Sequence, residues 1–213
     1  MYKIPYFLEH DQQTVMEFLR EYPLALITCQ GKDGKPVATQ VPVVFDERDG
    51  HLILTGHVMR GTDHWHGFKE NCDVLAVFTG PNCPVSASWY SDKNSGGTWN
   101  YMSVHARGTI RLLDQNALVE LLRRLTNQFE NNPDSGANFE DLADDYVAKL
   151  LPAIQAFEIA VTDLDAIFKL SQNRDEESYD NIVAKLSSRG GFSLAIAEEL
   201  ARRRERLFAN GSL

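Results

Sequence analysis

From residue 24 to residue 112, apolar and polar positions alternate in short runs separated by turn signals, which is the pattern of β-strands. Residues 24–29 are mainly apolar, and Gly31-Lys32-Asp33-Gly34 marks a turn. After it Val37, Thr39, Val41, Val43 and Phe45 alternate with Ala38, Gln40, Pro42 and Val44. This period of two predicts a hairpin. Pro42 has no amide hydrogen for a ladder, so it belongs at an edge, a bulge or the closing seam of a barrel. Residues 52–55, after the Asp49-Gly50 turn, and 73–78 predict further strands, and 85–89 and 104–112 complete a set of about six. In the last of these Val104, Ala106, Ile110 and Leu112 oppose His105, Arg107, Thr109 and Arg111, giving one buried and one polar face. A late strand is expected over 157–161.

Helical periodicity surrounds this block. Asp11 can cap a short helix carrying Val15, Phe18 and Leu19, which Pro23 ends. Residues 60–71 look helical, Leu118, Leu121, Leu122, Leu125 and Phe129 predict an amphipathic helix over 114–131, and a second is expected over 139–151. The last forty or so residues read as two helices, the second with Leu194, Ala197, Leu200 and Leu207 on one stripe. Hairpin-ordered strands with one long helical crossover predict a mainly antiparallel β-barrel. We assign the barrel with its packed helices to residues 1–174 and a helical extension to 175–213.

At 213 residues, 43% of them apolar, the chain can bury a sizeable core. No apolar stretch approaches the roughly 18 residues of a membrane span. Met1-Tyr2-Lys3-Ile4-Pro5 lacks the features of a secretory signal, so a cytoplasmic protein without membrane contact is expected. Cys29, Cys72 and Cys83, an odd set without a C-x-x-C pair, fit buried thiols in a reducing compartment. No ligand spacing joins them to His57, His64, His66 or His105, and no metal site is expected. Thirty acidic against twenty-one basic residues leave a net charge of −9, which repels nucleic-acid phosphates. Arg202, Arg203, Arg204 and Arg206 are interspersed with Glu198, Glu199 and Glu205, as on a solvated, ion-paired helix face.

Three segments are dense in aromatic and hydrogen-bonding side chains: Ser86-Ala87-Ser88-Trp89-Tyr90, Thr98-Trp99-Asn100-Tyr101 and Lys169-Leu170-Ser171-Gln172-Asn173. They suit either recognition of a planar, hydrogen-bonding small molecule or a subunit contact. No G-x-S-x-G, P-loop, H-E-x-x-H or Rossmann glycine signature occurs. At Thr55-Gly56-His57-Val58-Met59-Arg60 a strand leads into a helix, where amides, His57 and Arg60 can converge on a phosphate. Arg60 can equally pair with Asp63 or Glu70, and His105 can be a structural histidine.

The ordered series Gly56-His57-Val58-Met59-Arg60, Phe78-Thr79-Gly80-Pro81, the Ser86 and Thr98 segments, Val104-His105, Phe157-Glu158-Ile159 and the Lys169 segment through Arg174 resembles the PaiB-type family of FMN-binding negative transcriptional regulators. The likeness is collinear from residue 1 to about residue 187, and Met1-Tyr2 through Phe7 fits it too. The resemblance implies a flavin-reductase-like split β-barrel, similar to pyridoxamine phosphate oxidases, that works as a homodimer with FMN in the groove between subunits. It implies that His57 and Arg60 contact the FMN phosphate, that Val58 is also among the cofactor-binding residues, and that strand amides of Thr39, Gln40 and Val41 meet the isoalloxazine edge. Trp99, Tyr101 and His105 of the partner subunit would cover the flavin, with Ser86, Ser88 and Trp89 nearby. Lys169, Ser171 and Gln172 would lie by the pyrimidine ring, where a donor stabilises the charge of reduced flavin.

Three places depart from the family pattern. Gly61-Thr62-Asp63 stands where Ala-Asn-Pro is common, Asn82 to Ala87 replaces His-Ala-Tyr-Ile-Ser-Pro, and Gly96-Gly97 replaces Val-Pro. Asp63 would repel a phosphate, and the paired glycines would loosen the loop holding Trp99. The functions in view are an FMN-binding regulator, with direct DNA binding disfavoured by charge, and a flavin-dependent oxidoreductase acting on a small-molecule substrate. A haem-binding or haem-degrading version would require one of the histidines to reach iron.

Overall fold

The computed structural model describes residues 4–209. Met1, Tyr2 and Lys3 of the family-like opening lie outside them. The strands are β1 (Leu24–Gln30), β2 (Pro36–Pro42), β3 (Val44–Arg48), β4 (His51–Met59), β5 (Asp73–Val85), β6 (Thr98–Leu112) and β7 (Ile154–Lys169). They form one seven-stranded sheet in the order β2-β1-β5-β6-β7-β4-β3. The β1–β2, β1–β5, β3–β4 and β4–β7 pairs are all antiparallel. The helices are α1 (Gln12–Glu21), α2 (Asp63–Glu70), α3 (Gln115–Glu130), α4 (Asp144–Leu150), α5 (Glu176–Ser187) and α6 (Gly191–Phe208).

Turn chemistry fixes the hairpins. Asp49 and Gly50 have φ of 52° and 77°, the two left-handed positions that a tight hairpin turn between β3 and β4 requires. The run over 37–45 divides into β2 and β3 after Pro42, and the Val43 amide turns to Pro23 O at 3.0 Å. Here the chain folds over Gly56 of β4, where a Cβ would sit 2.7 Å from the Phe157 ring and 3.2 Å from Pro42 O. Pro42 thus occupies a seam.

Two expected elements are corrected. Residues 85–89 are not a strand of their own: β5 continues to Val85, and a 3-10 turn over Ala87–Trp89 follows, started by the Ser86 hydroxyl accepting from the Ser88 amide at 3.3 Å. The helix expected over 139–151 is broken. Asn138 and Asp141 cap a 3-10 turn over Phe139–Asp141, Ala143 is extended, and only then does α4 begin. Asx side chains that bond the local backbone compete with helix propagation.

The chain divides into two compact units, one of Met1–Leu19, Thr79–Val104 and Asp165–Leu213, the other of Arg20–Phe78 and His105–Leu164. In the second unit α3, capped by Asp114 on the Ala117 amide at 2.9 Å, packs Leu118, Leu121, Leu122 and Leu125 on Val44, Ile154 and Ala156. Glu158, 6% exposed, is held by Arg111 at 2.6 Å and Arg48 at 3.3 Å. In the first unit Asp11 caps α1 through the Thr14 amide at 2.7 Å, and Phe18 packs on Phe168. The Tyr179 hydroxyl donates to Leu200 O at 2.9 Å, tying α5 to α6.

The basic run on α6 is ion-paired, as its interspersed glutamates predict. Arg202 meets Glu199, and Arg204 meets Glu176 and Asp180. Arg203 departs from the solvated face, because it packs over the Phe168 ring and joins Glu9 at 2.7 Å as well as Glu199. Cys29 and Cys83 are buried, but Cys72, in the link between α2 and β5, is exposed.

Candidate functional site

In the second unit the segment after β4 is built as a cation at the start of a helix. Gly56 and Val58 face inward while His57 is half-buried on the opposite side. Its Nδ1 is buried with no hydrogen-bond partner among the described residues, and burial pushes its pKa below the ordinary value, so the ring is neutral at pH 7. The Arg60 Nε donates to Ile154 O at 2.9 Å and its amide to Ala153 O at 2.9 Å. Neither Asp63 nor Glu70 pairs with it. Its side chain is therefore held by one nitrogen, with no ion pair at its terminal nitrogens among the described residues.

Gly61, at φ 79°, makes the left-handed turn that starts α2, a conformation that accounts for glycine at this departure. Asp63 is already engaged: its Oδ1 accepts from the His64 amide at 2.8 Å and lies 3.2 Å from His64 Nδ1. The Thr62 hydroxyl donates to Met59 O at 2.8 Å. In this segment the groups with the chemistry for a phosphate are the Arg60 guanidinium and the His57 imidazole, whose Nδ1 has no partner among the described residues.

Val58 is 3% exposed, so its side chain is core and only its backbone can serve a ligand. Thr39 and Val41 stand opposite Ile27 and Ala25, both fully buried, and Gln40 stands opposite Leu26 on the outer face. As the terminal strand of the sheet, β2 leaves alternate backbone groups without a ladder partner, which suits amide recognition of a ring edge. His105 is half-buried on β6.

In the first unit two of the polar segments prove to be each other's partners. Lys169 Nζ donates to Thr98 Oγ1 at 2.5 Å, and the Ser171 hydroxyl donates to Asn100 Oδ1 at 2.9 Å. Ser171 is buried in a left-handed conformation (φ 58°), and the Gln172 amide closes the turn by accepting from the Leu170 amide and donating to Phe168 O, both at 2.7 Å. Ser171 and Gln172 thus engage protein groups with their hydroxyl and amide. Lys169 keeps a charge that burial, and then the nearby Arg174, disfavour, which lowers its pKa. Since Thr98 and Asn100 face inward, strand alternation turns Trp99 and Tyr101 the other way, and Trp99 is 50% exposed.

Ser86 and Ser88 bond each other at 2.9 Å, and Ser88 and Trp89 line a groove of about 380 Å³ with Tyr90, Lys93, Asn181 and Lys185. Arg189 lies over the Trp89 ring at 4.6 Å. Thr98 and Asn100 stand in the singled-out segment and serve there as the partners of Lys169 and Ser171. The matching i, i+2 spacing of polar side chains in 98/100 and 169/171 is the signal that pairs them.

The chain matches the model of the family described as "Putative FMN-binding domain" over residues 1–163. It belongs to that family. The "Protease synthase and sporulation protein PAI 2" of Bacillus subtilis (strain 168) is 34% identical over 188 residues, 88% of this chain and 90% of that protein. Flavocytochrome Anf3 from Azotobacter vinelandii superposes with a TM-score of 0.61 at 21% identity, covering 84% of this chain and 78% of that one. The FAD and heme binding protein from Mycobacterium smegmatis gives 0.58 at 22%, covering 76% and 73%. At such identities the likeness shows the fold, a split β-barrel with helical additions. FMN is the cofactor of this domain.

Proposed function

We propose that the protein is a PaiB-like, cytoplasmic FMN-dependent homodimer that exerts negative transcriptional control indirectly, with residues 1–174 as the flavin-binding part and 175–213 as a helical extension. The arrangement around Arg60 carries this reading. Arg60, His57 and the amides after Gly61 hold the phosphate, and Val58 contributes backbone alone. The β2 amides of Thr39, Gln40 and Val41 orient the ring edge. Trp99, Tyr101 and His105 of the partner subunit cover it, Ser86, Ser88 and Trp89 shape the approach, and Lys169, fixed by the Ser171–Gln172 turn, supplies positive charge. When bound, the flavin supplies reversible electron and hydride transfer. Control is indirect because the chain carries a net charge of −9 and pairs Arg202, Arg203 and Arg204 with carboxylates, leaving little to grip DNA.

A second reading, a flavin-dependent oxidoreductase, is favoured by the groove beside Ser88 and Trp89, whose volume suits a small-molecule substrate. Haem binding has weaker support, since His64 is engaged by Thr62 and Asp63.

The test is a comparison of FMN with riboflavin by fluorescence titration. Charge-assisted contacts at Arg60 predict that FMN binds about 10- to 100-fold tighter. Equal affinity contradicts the phosphate site. Turnover of NADH or NADPH by the loaded protein separates the two readings.

A further inference from the structure

Trp99 combines two properties: half its surface is exposed, yet its indole is hydrogen-bonded to a neighbouring side chain. Its Nε1 donates to Asn82 Oδ1 at 3.1 Å. Asn82 is itself oriented by Nδ2 donating to Gly80 O at 3.4 Å. The chain leading into Trp99 is fixed as well. A Cβ on Gly97 would lie 2.9 Å from Val85 O and 3.6 Å from the Ala87 amide, so this glycine is a point of close backbone approach rather than a loosening of the loop. On the inward side of β6 the Thr98–Lys169 and Asn100–Ser171 bonds hold the strand from beneath.

We infer that Asn82 is a positioning residue that presents the Trp99 indole as a rigid platform for a planar π-system, which under the proposed function is the isoalloxazine ring. An exposed indole without such a tether samples several rotamers and loses that freedom when it stacks. The hydrogen bond removes this cost beforehand and sets the plane of the ring. The two departures at Asn82 and Gly97 act together, one locating the strand and the other the side chain upon it.

The inference rests on the proposed function for the identity of the ligand and is tested with FMN on the full-length protein. Three variants are compared with wild type: Asn82→Leu, which keeps the volume but removes the acceptor; Asn82→Asp, which restores an oxygen there; and Trp99→Phe, which sets the scale. Asn82→Leu is expected to weaken FMN binding about three- to tenfold and to reduce quenching of flavin fluorescence toward the Trp99→Phe level. Asn82→Asp should recover most of the quenching. In flavin-free protein the Trp99 indole N–H should exchange with solvent faster in Asn82→Leu than in wild type, a readout independent of the ligand. Wild type that binds FMN while Asn82→Leu matches it in affinity and quenching overturns the inference alone. Wild type that binds no FMN overturns the proposed function and this inference with it.

Discussion

His57 shows how one buried atom links stability to pH. Burial depresses its pKa below the ordinary 6.5, so the unfolded chain takes up the proton first as pH falls. Stability from this residue is therefore present above about pH 6.5 and is lost on acidification toward the lower folded value. Between about pH 7.5 and pH 5.5, thermal melting of flavin-free wild type should fall by more than that of His57→Asn. An equal fall in both would show that His57 is not desolvated. At this scale the sequence pointed to His57 and Arg60 through their place between strand and helix, because that placement depends only on local order. It did not reveal that Asn100 is wholly buried or that Gln172 bonds its own turn. The role of Asn100 depends on a residue 71 positions away meeting it in space, and that of Gln172 on individual bonds within four residues of itself.

Elements were legible where the side chains decide them and illegible where the backbone does. An apolar run located β1, alternation located β2 and the 104–112 part of β6, and leucine spacing located α3. The break after Pro42, the 3-10 turn at Ala87 and the interruption before α4 follow from individual hydrogen bonds to the main chain, some from Ser86, Asn138 and Asp141 side chains, that hydropathy does not record. Glycines give the sharpest test of this backbone packing. A Cβ on Gly108 of β6 would overlap Ala160 O and come within 2.8 Å of Ile159 Cγ2, whereas one on Gly96 would meet nothing. Gly108→Ala is expected to cost about 1–3 kcal/mol of stability in urea unfolding. Gly96→Ala should be nearly neutral, and equal stability of the two would contradict the strand packing described.

For the whole molecule, composition and charge set the boundaries, and the ordered polar segments supplied the family. An acidic chain with paired arginines and, beside a helix start, a guanidinium without an ion pair among the described residues is better equipped to hold one phosphorylated cofactor than a nucleic-acid backbone. The most direct test is the visible absorbance of wild type and Arg60→Ala after loading with FMN and desalting. The account predicts yellow wild-type protein and an Arg60→Ala variant, folded by its melting curve, that has lost most of its flavin. Equal retention by both would contradict the assignment of the phosphate to Arg60.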